Sequence, residues 1–334
     1  MLMLYGRGNL PVEITFETTK AYPDPFNDIE LDILFTDPDG EEKRVPAFWA
    51  GEGCWKVRYS SPKLGEHKWC SISSDPTNPD LHDRRGSLEI LPYEGANPLF
   101  QHGRLRPSAN RKHLEHIDGT PFFWLADTWW MGLSKRLNFP GDFSILVADR
   151  VRKGFSVIQI VAGLYPDMPA FDERGANEAG FPWEAGFSRI NPSYFDMADL
   201  RLHQLIKSEL VPCIVGCWGY YLSWLGIDRM KKHWRYLVAR YGAYPVVWCL
   251  AGEGVMPYYL SEEPQKESEF QKKGWTELAC YLRKIDPFHN PITIHPTDTA
   301  RNQIEDPILL DIDMLQTGHS DRWSIPNTLR LLTS

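Results

Sequence analysis

The chain has 334 residues, of which 43% are hydrophobic and 24% are charged, and its formal net charge is -8. This length suits two domains, one of them large. Nucleic acids are bound by clustered lysine and arginine, so the negative charge and the lack of such a cluster argue against a nucleic-acid partner. The 13 tryptophans, 14 tyrosines and 16 phenylalanines make the chain rich in aromatic residues, which suit sugar rings as well as a core.

Several classes of site have no signature in the sequence. The six cysteines are scattered without a C-x-x-C pair, which indicates buried thiols and neither a disulfide framework nor a zinc site. There is no G-x-G-x-x-G, Walker A or G-x-S-x-G motif, which argues against a nucleotide cofactor and a serine hydrolase. A metal-dependent barrel hydrolase would usually need a histidine pair on an early strand, and none is present, so we expect no metal and no cofactor. The N-terminus has no signal-peptide pattern and no stretch is long enough to span a bilayer, so we expect a cytoplasmic protein without a membrane partner.

Short alternating segments separated by turns fill the region from Val12 to about Leu91. Such segments span residues 12–18, 29–35, 44–48, 55–59, 67–72 and 87–91. A series of this kind without a helical period predicts an antiparallel β-sandwich. The segment Pro92–Pro98, with Gly95 and Asn97, then indicates a boundary. We therefore assign residues 1–95 to the sandwich and residues 96–334 to a second domain.

Apolar strands and helical segments alternate in this second domain. The predicted strands are 122–126, 157–162, 211–217, the stretch from Val246, 292–295 and 312–316. The predicted helices are 142–153, a helix from Asn191, 228–241, 263–285 and one beginning at Pro326. Six such units in a row predict a parallel sheet and favour a (β/α)8-type TIM barrel over an open doubly wound sheet. A complete barrel has eight units, so we expect a barrel cut short after the sixth.

The fourth of these strands runs directly into a carboxylate. Its sequence is VVWCLAGEG over residues 246–254, with Glu253 between two glycines. In a barrel, residues at the carboxyl ends of strands face the reaction site, and glycines let a substrate approach the backbone. Glu253 is therefore either a catalytic acid or a cap of the segment that follows.

Polar and aromatic residues also lie at the ends of the other strands. Carboxylates, imidazoles, amides and aromatic planes at one rim suit a ligand that is rich in hydroxyl groups. The candidates for substrate binding are Asp127, Trp129, Trp130, Gln159, Trp218, Tyr220, His295, Gln316 and His319.

Structural roles compete with binding for several candidates. Asp127 precedes Thr128 in a pattern that also fits a helix cap. Neighbouring residues of a strand face opposite sides, so at least one of Trp129 and Trp130 is expected to pack in the core. Gln159 lies inside an apolar strand, where an amide is costly unless it is satisfied, which favours a functional or network role.

Two histidines fit either a structural role or a role in substrate binding. His295 and His319 each fit a core histidine that is hydrogen-bonded to the backbone. Their joint position at two strand ends favours the site.

Four stretches in this order carry a resemblance to a known family. They are Gly119–Trp130, RVRKGFSVIQ (150–159), VVWCLAGE (246–253) and DMLQTGHS (313–320). Together they resemble the apiosidase-like glycoside hydrolases, family 140 and its relatives. The segments Pro25–Asp28 and Val45–Tyr59 resemble the β-sandwich that often precedes that catalytic domain, so the similarity covers nearly the whole chain.

The resemblance implies a retaining glycosidase that acts on an oligosaccharide. Such enzymes use two carboxylates, about 5 to 5.5 Å apart. Glu253 matches the family's acid/base residue, although relatives often carry aspartate there. The family's nucleophile is a glutamate after a seventh strand that this sequence does not reach, which leaves Asp127 and Asp298 as substitutes. The alternative is a catalytically inactive carbohydrate-binding protein on the same scaffold.

Overall fold

A computed structural model describes residues 3–318 and 321–333. Its N-terminal part consists of two β-sheets and one short helix. These elements are β1 (Met3–Arg7), β2 (Val12–Glu17), α1 (Pro25–Asp28), β3 (Leu31–Thr36), β4 (Glu42–Pro46), β5 (Phe48–Gly51), β6 (Cys54–Tyr59), β7 (Gly65–Ser73) and β8 (Arg85–Leu91). The strand orders are β1-β8-β7-β3-β4 and β2-β6-β5.

The predicted β-sandwich is confirmed, with one exception to its antiparallel pairing. Alternating residues of both sheets form its core, where Phe35 of β3 stacks on Tyr59 of β6 with ring centroids 3.9 Å apart. Strand β1 pairs in parallel with β8 and was not predicted. Its sequence MLYGR does not alternate apolar with polar residues, and none of its residues is buried, so it lacks the pattern by which a strand is recognised.

A small antiparallel sheet follows the sandwich. After helix α2 (Pro98–Gln101) come β9 (Leu105–Pro107), β10 (Leu114–His116) and β11 (Pro121–Phe122), in the order β11-β10-β9. Because Pro121 and Phe122 pair with β10, the first strand of the following parallel sheet begins later than the sequence predicts.

The second part is a parallel sheet covered by helices. Its strands are β12 (Ala126–Trp129), β13 (Val157–Val161), β14 (Val211–Val215), β15 (Val247–Gly252) and β16 (Ile292–His295), hydrogen-bonded in chain order. The helices are α3 (Gly141–Arg152), α4 (Pro192–Lys207), α5 (Tyr221–Tyr241), α6 (Pro264–Ile285) and α7 (Asp321–Thr333). Every residue of β13, β14 and β15 is buried, as expected for strands covered on both faces.

The predicted sixth strand, 312–316, differs from expectation. This segment lies beside β16, where the Asp311 amide donates to the Ile292 carbonyl at 2.8 Å, but it forms only an isolated bridge between Thr299 and Leu315. Asp311 also accepts from the Ile292 amide through its side chain at 2.9 Å. A side chain therefore replaces a ladder bond here, and the described residues contain five parallel strands rather than six.

A buried ionic cluster joins the sandwich to the helices. Arg58 of β6 donates to Asp199 of α4 at 2.6 Å, and Arg240 of α5 donates to the same carboxylate at 2.9 Å. Burial by itself raises the pKa of Asp199, but the two guanidinium groups outweigh it and hold that pKa well below its usual range. The sandwich is thus fixed against the helices that support the strand ends.

Candidate active site

Three aromatic side chains meet above the carboxyl ends of the parallel strands. Trp130 follows β12, Trp218 follows β14 and His295 ends β16. The ring of Trp130 lies 5.3 Å from that of Trp218 and 5.1 Å from that of His295, measured between centroids. The ends of three strands thus form one aromatic wall, in which Trp130 is only half-buried.

Glu253 follows the last residue of β15 and has a left-handed backbone conformation, with φ of 48°. This conformation is uncommon outside glycine, and a turn sustains it in which the Met256 amide donates to the Glu253 carbonyl at 2.9 Å. The side chain accepts from the Gln316 amide, Nε2 to Oε1, at 3.1 Å. Within 3–318 and 321–333, Glu253 makes no ion pair, so its carboxylate is not neutralised by a cation there.

The glycine before Glu253 lets Trp218 approach the strand. A Cβ at Gly252 would lie 2.2 Å from the Trp218 ring, which is far inside van der Waals contact. The Gly219 amide also donates to the Gly252 carbonyl at 2.8 Å. The G-E-G pattern therefore places the indole of Trp218 directly against the strand end that carries the carboxylate.

Gln159 lies in the middle of β13, and its side chain faces the inner side of the sheet. It is buried, and its Nε2 lies 3.6 Å from Cys249 Sγ, 3.7 Å from Met314 Sδ and 3.9 Å from Cys213 Sγ. Sulfur is a weak acceptor, so three such contacts replace one strong hydrogen bond. The amide of Gln159 thus makes its contacts in the interior, and its part in substrate binding stays a prediction.

The structure does not bring Asp127 and Trp129 into this cluster. The Asp127 carboxylate accepts from the Trp129 indole at 2.8 Å and pairs with Arg150 of α3 at 2.5 Å, while the Trp129 ring packs edge-on against Phe143 of α3. Both side chains thus point to the helix layer. Trp130 is the member of the tryptophan pair that reaches the wall, in keeping with strand alternation.

Tyr220 is completely buried, and its ring contacts lie with other tyrosines and a tryptophan outside the wall. Its hydroxyl donates to the Tyr165 carbonyl at 3.3 Å, and the rings of Tyr258 and Tyr259 lie 5.2 and 6.2 Å from its own. Tyr220 supports those two residues, which the sequence reasoning overlooked. The signal available for them was a pair of adjacent tyrosines in the loop after Glu253.

The remaining predicted residues have separate positions. Asp298 accepts from the Thr299 amide at 2.5 Å, from Asn302 at 2.7 Å and from Gln303 at 3.1 Å, which makes it part of the loop's framework. His319 lies outside the described residues. In the described part of the chain, no three histidine, cysteine or acidic side chains cluster as a metal site would require.

Comparison of the chain with known proteins adds two findings from solved structures. A protein of Bacteroides vulgatus ATCC 8482, provisionally named a glycoside hydrolase, superposes with a TM-score of 0.69 at 18% identity, over 88% of this chain and 56% of that one. A family 5 glycoside hydrolase from the same organism gives 0.52 at 22% identity, over 67% and 46%. These likenesses concern the fold, and the chain spans about half the length of either protein.

Family comparison assigns both parts of the chain. No curated protein matches it, and within the described residues no helix has the length and apolarity to cross a membrane. Residues 10–74 match a domain of unknown function, DUF5060. Residues 108–332, more than half of the chain, match the catalytic domain described as apiosidase-like. This protein therefore belongs to the apiosidase-like catalytic-domain family.

Proposed function

We propose that this chain carries the acid/base half of a retaining glycoside hydrolase that cleaves a glycosidic bond in an oligosaccharide. The observation that carries the proposal is the position of Glu253, which extends from a strand end beside the aromatic wall without a cationic partner in the described residues. A buried ion pair would have prevented proton donation, whereas an amide partner permits both the protonated and the ionised state.

The contacts of Glu253 suggest how it would act. Gln316 donates to Oε1, which orients the carboxyl group and leaves Oε2 for the oxygen of the leaving sugar. In its protonated form Glu253 would donate a proton to that oxygen, and as a carboxylate it would then accept one from water. The half-buried ring of Trp130 would offer a sugar ring an apolar surface. Trp130 contacts Trp218, which lies against the strand end that carries Glu253.

Retention requires a second carboxylate about 5 to 5.5 Å from the first. Asp127 is bound to Arg150 in the helix layer, and Asp298 is engaged by three donors of its own loop. These contacts argue against either one as the nucleophile. The family resemblance assigns that role to a glutamate after a seventh strand, and the five described parallel strands do not include one.

The substitution Glu253→Gln tests the proposal. It preserves the shape of the side chain but removes the transferable proton, so hydrolysis of disaccharides should fall by about 10²- to 10⁴-fold while their binding persists. The loss should be smaller for 4-nitrophenyl glycosides, whose leaving group needs little protonation. Glu262→Gln, an exposed carboxylate of the same loop, is the matched control and should leave hydrolysis unchanged.

The assay is turnover of a panel of disaccharides and 4-nitrophenyl glycosides by the full-length protein, with the first-formed anomer followed by NMR. An initial product of unchanged anomeric configuration supports retention. Full disaccharide hydrolysis by Glu253→Gln contradicts the role of Glu253. Binding of disaccharides by the wild type without turnover favours the carbohydrate-binding alternative.

A further inference from the structure

The loops after β13 and β15 meet at the rim, across the loop after β14. Their contact is a hydrogen bond of 2.5 Å from the Tyr259 hydroxyl to Asp167 Oδ1. Both residues are exposed, Tyr259 to 56%, so the contact lies on the surface. Asp167 has a left-handed backbone conformation, with φ of 60°. Non-glycine residues with this conformation cluster at functional sites.

Aromatic packing holds the Tyr259 ring from below. Its centroid lies 5.9 Å from that of Tyr258 and 6.2 Å from that of Tyr220. Tyr258 packs in turn on Trp224 at 4.9 Å, and Tyr220 is fully buried. The ring is therefore anchored at its hydroxyl and supported beneath, so a ligand that stacks on it needs to immobilise little further.

Tyr259 lies six residues after Glu253, in the same loop between β15 and α6. Partial burial raises the pKa of Tyr259 well above its usual value, and the negative charges of Asp167 and Glu253 add to the rise. Its hydroxyl therefore remains a proton donor at neutral pH. The Tyr259 hydroxyl donates a hydrogen bond to Oδ1 of Asp167. Oδ2 receives no hydrogen bond from any described residue, so it can accept one from a ligand hydroxyl.

We propose that Tyr259 and Asp167 form a second sugar subsite beside Glu253. It would bind a sugar ring with one apolar C–H face and a free hydroxyl group, because the tyrosine ring presents a flat apolar surface and Asp167 presents an acceptor at its edge. This inference rests on the proposed function and extends it. It assigns the two residues to a neighbouring ring of the oligosaccharide rather than to the proton transfer.

The experiment compares ligands with one and two sugar rings. The disaccharide that the wild type cleaves fastest and the methyl glycoside of its single sugar are titrated calorimetrically into Glu253→Gln, which prevents turnover. Tyr259→Ala in that background should weaken disaccharide binding about tenfold more than methyl-glycoside binding. Tyr259→Phe, which keeps the ring, should lose less than Tyr259→Ala, and Asp167→Asn, which keeps one acceptor, should also show only a partial loss.

Tyr5→Ala is the matched control, because Tyr5 is an exposed tyrosine of the sandwich, and both ligands should bind to it as before. Equal losses for both ligands, or no loss for either, in a folded Tyr259→Ala overturn the second subsite and leave the role of Glu253 intact. If the wild type neither binds nor cleaves any disaccharide of the panel, the proposed function fails and this inference fails with it.

Discussion

Asp127 and Trp130 lie three residues apart, yet one contacts a helix and the other belongs to the aromatic wall. In β12, Thr128 pairs with Gln159 on the inner face, so its neighbours Asp127 and Trp129 face outward to α3. Burial raises the pKa of Asp127, but donation by Trp129, Arg150 and the Thr128 amide outweighs it and lowers the pKa overall. These contacts indicate a structural role for this carboxylate.

Asp127→Asn separates that structural role from ligand binding. The amide removes the charge from a partly exposed pair with Arg150, so the free energy of unfolding should fall by about 0.5–1 kcal/mol, while disaccharide affinity stays unchanged. Urea unfolding and calorimetric titration measure the two effects. A tenfold loss of affinity with unchanged stability would show instead that Asp127 binds the ligand.

Helix α5 is attached to the sheet through a buried histidine. His233 donates from Nε2 to the Gly216 carbonyl beyond β14 at 2.8 Å, so Nδ1 is free to accept from the Trp183 indole at 3.2 Å. Burial lowers the pKa of His233 to about 4. The neutral imidazole thus links α5, the end of β14 and the long loop before α4.

This histidine makes stability depend on pH. In the unfolded chain the imidazole binds a proton below about pH 6.5, whereas in the folded chain it does so only near pH 4. Stability is therefore lost as the pH falls through this window, by roughly 2–3 kcal/mol between about pH 6.5 and 4.5. Urea titrations across that range should show a flatter profile for His233→Gln, and an identical slope in both proteins contradicts the assignment.

At the scale of the whole molecule, the sandwich is joined to the parallel sheet's helices by polar contacts as well as by apolar packing. Besides the Arg58–Asp199–Arg240 cluster, Tyr236 of α5 donates to the Trp49 carbonyl at 3.1 Å, and Ser60 donates to the Ala243 carbonyl at 2.6 Å. Tyr236 and Arg240 lie in the C-terminal half of α5, and Ala243 lies in the loop after it. The sandwich therefore supports the C-terminal half of the helix that follows Trp218.

Asp199→Ala tests how much this junction contributes. It leaves two buried guanidinium groups without their shared carboxylate, so the free energy of unfolding should fall by about 3–5 kcal/mol. Glu277→Ala on α6, which removes an exposed pair with Lys231 of α5, should cost less than about 1 kcal/mol. Chemical denaturation followed by tryptophan fluorescence compares the two variants, and equal small losses would show that apolar packing alone holds the junction.

Periodicity and strand-end chemistry were enough to predict much of this protein. Alternation over residues 12–91 predicted the sandwich, and repeated strand and helix patterns predicted the parallel sheet, because burial on one or two faces imposes those patterns directly. The position of Glu253 between glycines also followed from local sequence. The exposed strand β1 has no such pattern, and the segment 312–316 has an apolar pattern without ladder pairing.

Only the tertiary structure decided which strand-end residues share a site. The amino-acid order placed Glu253, Trp130, Trp218 and His295 at strand ends, but their contacts depend on strand register and on the loops between them. The hydrogen bond between Asp167 and Tyr259 joins residues 92 positions apart. Tyr220 packs against Tyr258 and Tyr259 of the loop after β15. Local composition determines which elements form, whereas long-range packing determines which side chains meet, because no short stretch of chain contains both partners of such a contact.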